Sequence, residues 1–226
     1  MRPHSFALLV ALSMTTTLFA RDAKQSSFPL DSAKGLTAIG ATVEPVTYRG
    51  RRAVHLVPLT GHEHEDGDLL AILSGSDFEN GTIELEVAGT PRAGAADDAR
   101  GFIGIAFRVQ DQAHKGEYFY LRPTNARCDD QLRRNHSTQY SSAPDYPWHR
   151  LRKENPGVYE SYVDLEPGAW TKMKIVISGA KAQLYVNGAS QPSLVVNDLK
   201  LGDGNGQIAL WAHSTTDAYF SNLTLK

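Results

Sequence analysis

Four side chains in one polar and aromatic segment, residues 122–153, could take part in proton transfer. They are Asp129, Asp130, His136 and Tyr140, and general acid–base catalysis uses these residue types. One reaction that suits them is β-elimination of a uronate glycan, in which histidine or tyrosine removes a proton and arginine or asparagine neutralises the carboxylate. Because adjacent residues of an extended chain point in opposite directions, only one of the two aspartates is expected to face a substrate. These four are the candidate catalytic residues.

The same segment is rich in side chains that bind glycans. Basic residues outnumber acidic ones in it, arginine binds carboxylate or sulfate through paired hydrogen bonds, and aromatic faces stack on sugar rings. The candidate binding residues are Arg127, Arg133, Arg134, Asn135, Gln139, Tyr146, Trp148, His149 and Arg150. This composition predicts a glycan ligand and would suit an anionic one. In the alternative interpretation, the two aspartates pair with Arg133 and Arg134 and only fasten a long loop.

Alternating apolar and polar residues on both sides of the segment predict the strands that must hold it. Strands are expected at residues 41–48, 53–59, 83–87, 102–109, 118–121, 159–165, 172–177, 182–186, 194–196, 207–211 and 218–225. Turn residues separate them, and helical periodicity is scarce. Many short strands without strand–helix alternation predict an all-β, antiparallel sandwich. Trp170 and Trp211 lie in strand patterns and are expected to fill its core.

The N-terminal residues and the composition of the chain predict where the protein is located and which partners it does not favour. Residues 1–20 have the basic start, the apolar run and the small final residue of a signal peptide, so a secreted or periplasmic protein is expected, with no membrane span after removal of this segment. Residues 21–226 are then expected to form one domain. A net charge of −2 does not favour a nucleic-acid partner. The single cysteine, Cys128, excludes a disulfide within the chain.

A cluster of histidines and acids at residues 62–68 could bind a metal ion. Calcium prefers a cage of oxygen ligands, which Asp66 and Asp68 with loop carbonyls would supply. The simpler interpretation is a solvated loop at a strand edge. No cofactor is expected to be required, and a structural calcium ion is the one candidate.

Several strand motifs resemble the concanavalin A-like lectin/glucanase superfamily. They are residues 77–84, 101–109, 170–177, 184–188 and 206–223. Within the superfamily the chain is similar to laminin-G-like domains and to exported 3-keto-disaccharide hydrolases. The resemblance implies a jelly-roll sandwich of two curved sheets. It also implies hydrolysis of a 3-keto-glycoside as a candidate reaction, in which Asp129 or Asp130 would remove the proton beside the ketone.

One departure from the superfamily argues against a glucanase mechanism. Superfamily glucanases carry a Glu-x-Asp-x-Glu array on one strand, whereas this chain has Glu84 and Glu86 followed by Ala88. Retaining hydrolysis needs two carboxyl groups on either side of the bond. Three functions therefore stay open: a glycan-binding protein that uses residues 122–153, a glycan-cleaving hydrolase or lyase, and a laminin-G-like domain that binds proteins.

Overall fold

The computed structural model describes residues 25–62 and 67–226. The predicted signal peptide, residues 1–20, lies outside the described residues, as do residues 63–66 of the predicted metal cluster. In the described part, no helix is long and apolar enough to cross a membrane. The boundaries of the domain stay a prediction.

Short strands make up most of the described chain. They are β1 (Ser26–Phe28), β2 (Leu36–Ile39), β3 (Ala41–Tyr48), β4 (Arg51–Pro58), β5 (Asp68–Leu73), β6 (Gly81–Pro91), β7 (Ile103–Gln110), β8 (Lys115–Leu121), β9 (Thr138–Ala143), β10 (Glu160–Ser161), β11 (Thr171–Ser178), β12 (Lys181–Val186), β13 (Leu194–Val196), β14 (Gln207–His213) and β15 (Thr216–Leu225). Two short α-helices, α1 (Gln131–Arg134) and α2 (Trp148–Glu154), flank β9, and single 3₁₀ turns span Asp111–Ala113 and Pro123–Asn125.

The strands form two antiparallel sheets. The back sheet has the order β13-β12-β11-β6-β15-β4-β3, and β1 adds to β15. The front sheet has the order β10-β9-β8-β7-β14-β5-β2. Because β9 lies next to the edge strand β10, the β8–β9 and β9–β10 connections both lie at this side of the front sheet.

The core lies between the sheets, where the inward residues of each strand meet. Leu85 of the back sheet and Phe119 of the front sheet belong to one buried cluster, and burying such a side chain contributes about 1.5–3 kcal/mol. On the outer side of β6, Glu84 pairs with Lys172 and Glu86 pairs with Arg51. These two glutamates are therefore surface residues opposite a buried face. This agrees with the absence of an acid at position 88, which argues against a glucanase array on this strand.

The structure confirms the antiparallel all-β sandwich of two sheets. It also corrects two details of the prediction. Residues 122–153 are not one long loop, because β9 lies in their middle and pairs with β8 over six residues. Residues 159–165 contain only the two-residue strand β10.

The two tryptophans also differ from the prediction. Trp170 is only partly buried; its Nε1 donates to the Tyr48 carbonyl at 3.3 Å. Trp211 is 7% exposed, but it belongs to a second apolar cluster, separate from the core between the sheets. That cluster includes Tyr118 and Tyr120 of β8, which alternate with the inward Phe119, so it lies on the outer face of the front sheet.

Candidate functional site

The outer face of the front sheet carries a cavity that we call the aromatic groove, of about 180 Å³. It is lined by Asp68, Tyr118, Tyr120, Ser141, Ser142, Ala143, Pro144, Pro147, Trp148 and Trp211. Small residues on the central strands leave the space for it: Ala106 and Ala209 lie in the same cluster as the rings. At Gly104, a Cβ would lie 2.1 Å from the Phe119 carbonyl oxygen, so only glycine lets β7 approach β8 this closely.

Three aromatic rings form the floor of the aromatic groove. The Trp211 ring centroid is 4.8 Å from that of Tyr120 and 6.1 Å from that of Tyr118. Burial raises the pKa of both tyrosines, that of Tyr120 to about 12, so their hydroxyls stay protonated at neutral pH. A floor of aromatic faces with protonated hydroxyls is typical of a site that stacks against a sugar ring and hydrogen-bonds to it.

Trp148 forms one wall of the aromatic groove. It starts α2, which Pro147 precedes as its N-cap residue, and it is 43% exposed. Two guanidinium groups lie near its ring, that of Arg152 at 4.6 Å and that of Arg122 at 5.7 Å from the centroid. Such cation–π contacts fix the orientation of the ring. Because Trp148 lines both the groove and a second cavity, it separates the two.

The second cavity, which we call the basic pocket, encloses about 290 Å³. It is lined by Asp98, Arg100, Phe102, Arg122, Asn125, Arg133, His136, Trp148 and Arg152. Four of these residues are arginines and one is an acid. The pocket therefore has a positive electrostatic potential, and it shares Trp148 with the aromatic groove.

A buried carboxylate, Glu160, holds two of the arginines in place. Its Oε1 accepts from Arg122 at 3.1 Å and its Oε2 from Arg152 at 2.8 Å. Burial opposes ionisation of this group, but the hydrogen bond from Arg152 and the charges of Arg122 and Arg152 outweigh burial and lower its pKa. Arg122 also donates to Gln139 at 3.0 Å and to the Tyr120 hydroxyl at 3.2 Å, so this network connects the two cavities.

His136 faces the basic pocket beside the same carboxylate, with Nε2 3.6 Å from the Glu160 Oε2. Burial lowers the pKa of this imidazole; the charges of Arg152 and Arg122 lower it too, whereas Glu160 and Asp130 act in the opposite direction. The net shift keeps His136 neutral at pH 7. A neutral imidazole that is oriented by a carboxylate can accept a proton from a ligand.

The other three candidate catalytic residues do not line either cavity. Tyr140 is fully buried between the sheets, where its hydroxyl donates to Glu117 at 2.6 Å and accepts from the Lys200 amide at 2.7 Å. Burial and the Glu117 carboxylate raise its pKa far above the normal value. The position of Tyr140 in the core, outside both cavities, does not fit the predicted catalytic role. Asp129 is exposed outside both cavities.

Asp130 has a structural role at the start of α1. Its Oδ1 accepts from the backbone amides of Leu132 at 2.9 Å and Arg133 at 3.2 Å, which makes it the N-cap of the helix. The predicted pairing of the aspartates with the side chains of Arg133 and Arg134 is not formed, because Asp130 contacts the backbone instead. Of the four catalytic candidates, the structure places only His136 in a cavity.

Among the predicted binding residues, Trp148 and Arg133 line the basic pocket. The others have different surroundings. Arg127 pairs at the surface with Asp164 and Glu166, Arg134 donates to Tyr162, Asn135 accepts from Gln131, Gln139 is buried as a partner of Arg122, Arg150 pairs with Glu154 and lies over the Tyr146 ring, and His149 is exposed against the edge of Trp148. These residues do not line the two cavities.

Several residues of the site were not predicted from the sequence. Tyr118 and Tyr120 have the spacing of residues on one face of a strand, which was a usable signal. Trp211 lies opposite Gly104 across the β14–β7 pair, and a glycine opposite a tryptophan leaves space above the sheet. Arg100 and Glu160 lie outside residues 122–153 in the sequence, and only the tertiary fold brings them next to this segment.

Comparison with known proteins identifies the family. Residues 48–226 match the family of 3-keto-alpha-glucoside-1,2-lyase-like domains, which covers most of the chain and all of the residues that line the basic pocket. The chain belongs to this family. No curated protein matches it.

Solved structures similar to this family member share its fold. The carbohydrate-binding module CBM66 from Bacillus subtilis aligns with a TM-score of 0.57 at 14% identity, over 85% of this chain and 96% of that one. A provisionally assigned glycosyl hydrolase of Parabacteroides distasonis aligns with a TM-score of 0.52 at 12% identity, over 89% and 98%. The VIP36 exoplasmic/lumenal domain with Ca²⁺ and Man₃GlcNAc bound aligns at 0.52 and 10% identity, over 88% and 87%.

A metal site has little support among the described residues. Within residues 25–62 and 67–226, no three histidine, cysteine, aspartate or glutamate side chains are placed to hold a metal ion. Most of the predicted cluster at residues 62–68 lies outside the described part. The structural calcium ion stays a prediction from the sequence, and so does the expectation that no cofactor is required.

Proposed function

We propose that the outer face of the front sheet binds a carbohydrate and that the basic pocket removes a proton beside the ketone of a 3-keto-glucoside. The observation that carries the proposal is the position of His136, which lies beside Glu160 in an arginine-lined cavity next to a groove of stacking rings. Membership of the 3-keto-alpha-glucoside-1,2-lyase-like family supports this choice of substrate.

The proposed reaction is an elimination across carbons 1 and 2 of the sugar. His136 takes the proton from carbon 2, and the electron pair of that bond forms an enolate with the ketone at carbon 3. The positive charge of the arginine-lined basic pocket favours the enolate. The enolate then forms a double bond between carbons 1 and 2 while the bond from carbon 1 to the glycosidic oxygen breaks. That oxygen receives the proton from the imidazolium, so one free sugar and one unsaturated keto sugar form without water.

The aromatic groove supports the carbohydrate part of the proposal. A ring that stacks on Trp148 can also reach the floor formed by Tyr118, Tyr120 and Trp211, because all four side chains line one cavity. The sugar unit on the other side of the scissile bond would then lie in the basic pocket. We also propose, from the sequence of residues 1–20, that the protein is secreted or periplasmic.

The test is incubation of the protein with a 3-keto-disaccharide in D₂O, with products identified by mass spectrometry. We expect two products whose masses together equal that of the substrate, and deuterium at carbon 2 of recovered substrate. His136→Gln should lower turnover about 10²- to 10⁴-fold. His55→Gln, on the outer face of the back sheet, should leave turnover unchanged. Products formed equally well by the His136 variant would overturn the assignment of His136 as the base.

A glycan-binding protein without turnover is the second candidate. The observation that favours it is the exposure of Trp148 beside a groove that would bind a sugar ring whether or not a bond breaks. Retention on a glycan without any product would establish this alternative. The cavities on both sides of Trp148 argue against the flat surface that a laminin-G-like, protein-binding function would favour.

A further inference from the structure

The four arginines of the basic pocket fall into two pairs. Arg122 and Arg152 both bind Glu160, whose side chain is 2% exposed. That carboxylate compensates much of their charge inside the protein. Arg122 is itself 4% exposed and donates to Gln139 as well. This pair is therefore part of the structure that supports the pocket, and it needs no ligand to be stable.

Arg100 and Arg133 lack such a partner. In the described part of the chain, neither of them forms an ion pair with a carboxylate. Arg100 Nη1 donates only to main-chain carbonyls, of Asp97 at 2.6 Å and of Ala99 at 3.1 Å. The Nε of Arg133 is buried and has no hydrogen-bond partner among the described residues. Both residues line the basic pocket.

The surroundings increase the excess of positive charge. Arg100 and Arg133 line the same cavity. Burial lowers the pKa of Arg100, and the positive charge of Arg133 lowers it next. Asp98 is the only carboxylate in the described lining and is exposed, and the Asp130 Oδ1 is already bonded to the amides of α1. An anion bound by both arginines would compensate their positive charge.

We infer that the ligand carries a carboxylate or sulfate group and that Arg100 and Arg133 bind this group in the basic pocket while the sugar ring lies against Trp148. The inference rests on the proposed carbohydrate site, and it specifies the class of ligand as an acidic glycan. Arginine pairs bind carboxylate and sulfate oxygens with charge-assisted hydrogen bonds. A volume of about 290 Å³ accommodates one substituted sugar unit.

Calorimetric titration with matched sugars tests the inference. The probes are methyl glucoside, methyl glucuronide and methyl glucoside 6-sulfate, added to the full-length protein at low salt. We expect either or both charged sugars to bind about tenfold more tightly than the neutral one. The preference should decrease as the salt concentration rises, and comparison of the two charged sugars distinguishes a carboxylate ligand from a sulfate ligand.

Variants locate the charged group. Arg100→Gln and Arg133→Gln should each remove most of the preference for the charged sugar. Arg134→Gln should keep it, since this neighbouring arginine of α1 points to Tyr162 instead. Thermal unfolding of each variant checks that it is folded, and the salt dependence of the wild-type protein provides a measurement that needs no variant.

The outcomes separate this inference from the proposed function. Equal affinity for charged and neutral sugars, with Trp148→Ala weakening both, would overturn the inference and leave the carbohydrate site intact. A preference that survives both arginine substitutions would also overturn it. Failure of all three sugars to bind would count against the carbohydrate site as a whole.

Discussion

The two outer faces of the sandwich contain similar aromatic residues in different arrangements. On the back sheet, the ring of Tyr219 stacks on Tyr48 at 3.8 Å and on His55 at 4.4 Å, with nearly parallel planes. On the front sheet, Tyr120 and Trp211 are tilted by 41° at 4.8 Å and leave a groove beside them. Aromatic content alone therefore does not identify a site; the space between the rings does.

The charged residues of the two faces differ in the same way. On the back sheet, Glu84 binds both Lys172 and Lys226 at the surface, at 3.1 and 3.0 Å. On the front sheet, Glu160 is buried and holds Arg122 and Arg152, while further arginines stay unpaired around the cavity. On the back face Glu84 thus pairs with two lysines, whereas on the front face Arg100 and Arg133 line the basic pocket without an ion-pair partner among the described residues.

The largest expected effect is on the free energy of unfolding, and it distinguishes the buried Glu160 from Glu84 at the surface. Glu160→Gln leaves Arg122 buried without its counter-charge, so the free energy of unfolding should fall by about 3–5 kcal/mol. Glu84→Gln removes a surface carboxylate, and the loss should be less than about 1 kcal/mol. Urea unfolding of the two variants measures the difference. Equal losses would show that Glu160 is no more important to the fold than a surface residue.

The sequence predicted the scaffold well because its signals are local. Alternation of apolar and charged residues located β6, and turn residues separated β11 from β12. The strand β9 was missed because its residues, Thr138–Ala143, are largely polar. They are nevertheless buried, since Gln139 and Tyr140 hydrogen-bond to buried partners that come from other parts of the chain.

The site was harder to predict, because its residues come together only in the folded chain. Trp148 and His136 were found from their residue types. Tyr140 has the right chemistry, but strand alternation directs it inward, whereas the outward positions on either side of it carry Gln139 and Ser141. Glu160 has no local signal at all: its importance follows from two arginines that are 8 and 38 residues away in the chain.

A smaller loss of stability is expected for Tyr140→Phe. Its hydroxyl bonds to the Glu117 carboxylate inside the sandwich, and hydrogen bonds to charged groups contribute about 1.5–3 kcal/mol. The free energy of unfolding should fall by this amount, while turnover and sugar affinity per folded molecule should not change. A loss of turnover with unchanged stability would restore Tyr140 as a catalytic residue.

A smaller effect is expected on sugar affinity, and it should differ between substitutions on the two faces. Trp148→Ala removes the shared wall of both cavities, so binding of methyl glucuronide should weaken about tenfold. Tyr219→Ala removes the central ring of the back-sheet stack and should leave affinity unchanged, although it destabilises the fold. Calorimetric titration of both variants measures this. A similar loss of affinity in the two variants would place the ligand on neither face specifically.

The smallest expected effect is a pH dependence of stability, which arises from two histidines whose pKa values are lowered from the normal value. Burial lowers the pKa of His55, against the attraction of Asp217 and Glu44 and together with Arg92. Burial also lowers that of His136, which faces Glu160, Arg152, Arg122 and Asp130. Since both folded pKa values are depressed, the stability that the neutral rings contribute is present above pH 6.5 and is lost as the pH falls through them.

A ligand should act on only one of these histidines. A bound carboxylate in the basic pocket favours the imidazolium form of His136, so its pKa should rise when methyl glucuronide is added. The pKa of His55, on the other face, should not move. Titration of the two ring signals by NMR, with and without the sugar, gives both values in one experiment. Movement of the His55 pKa alone would transfer the site to the back sheet.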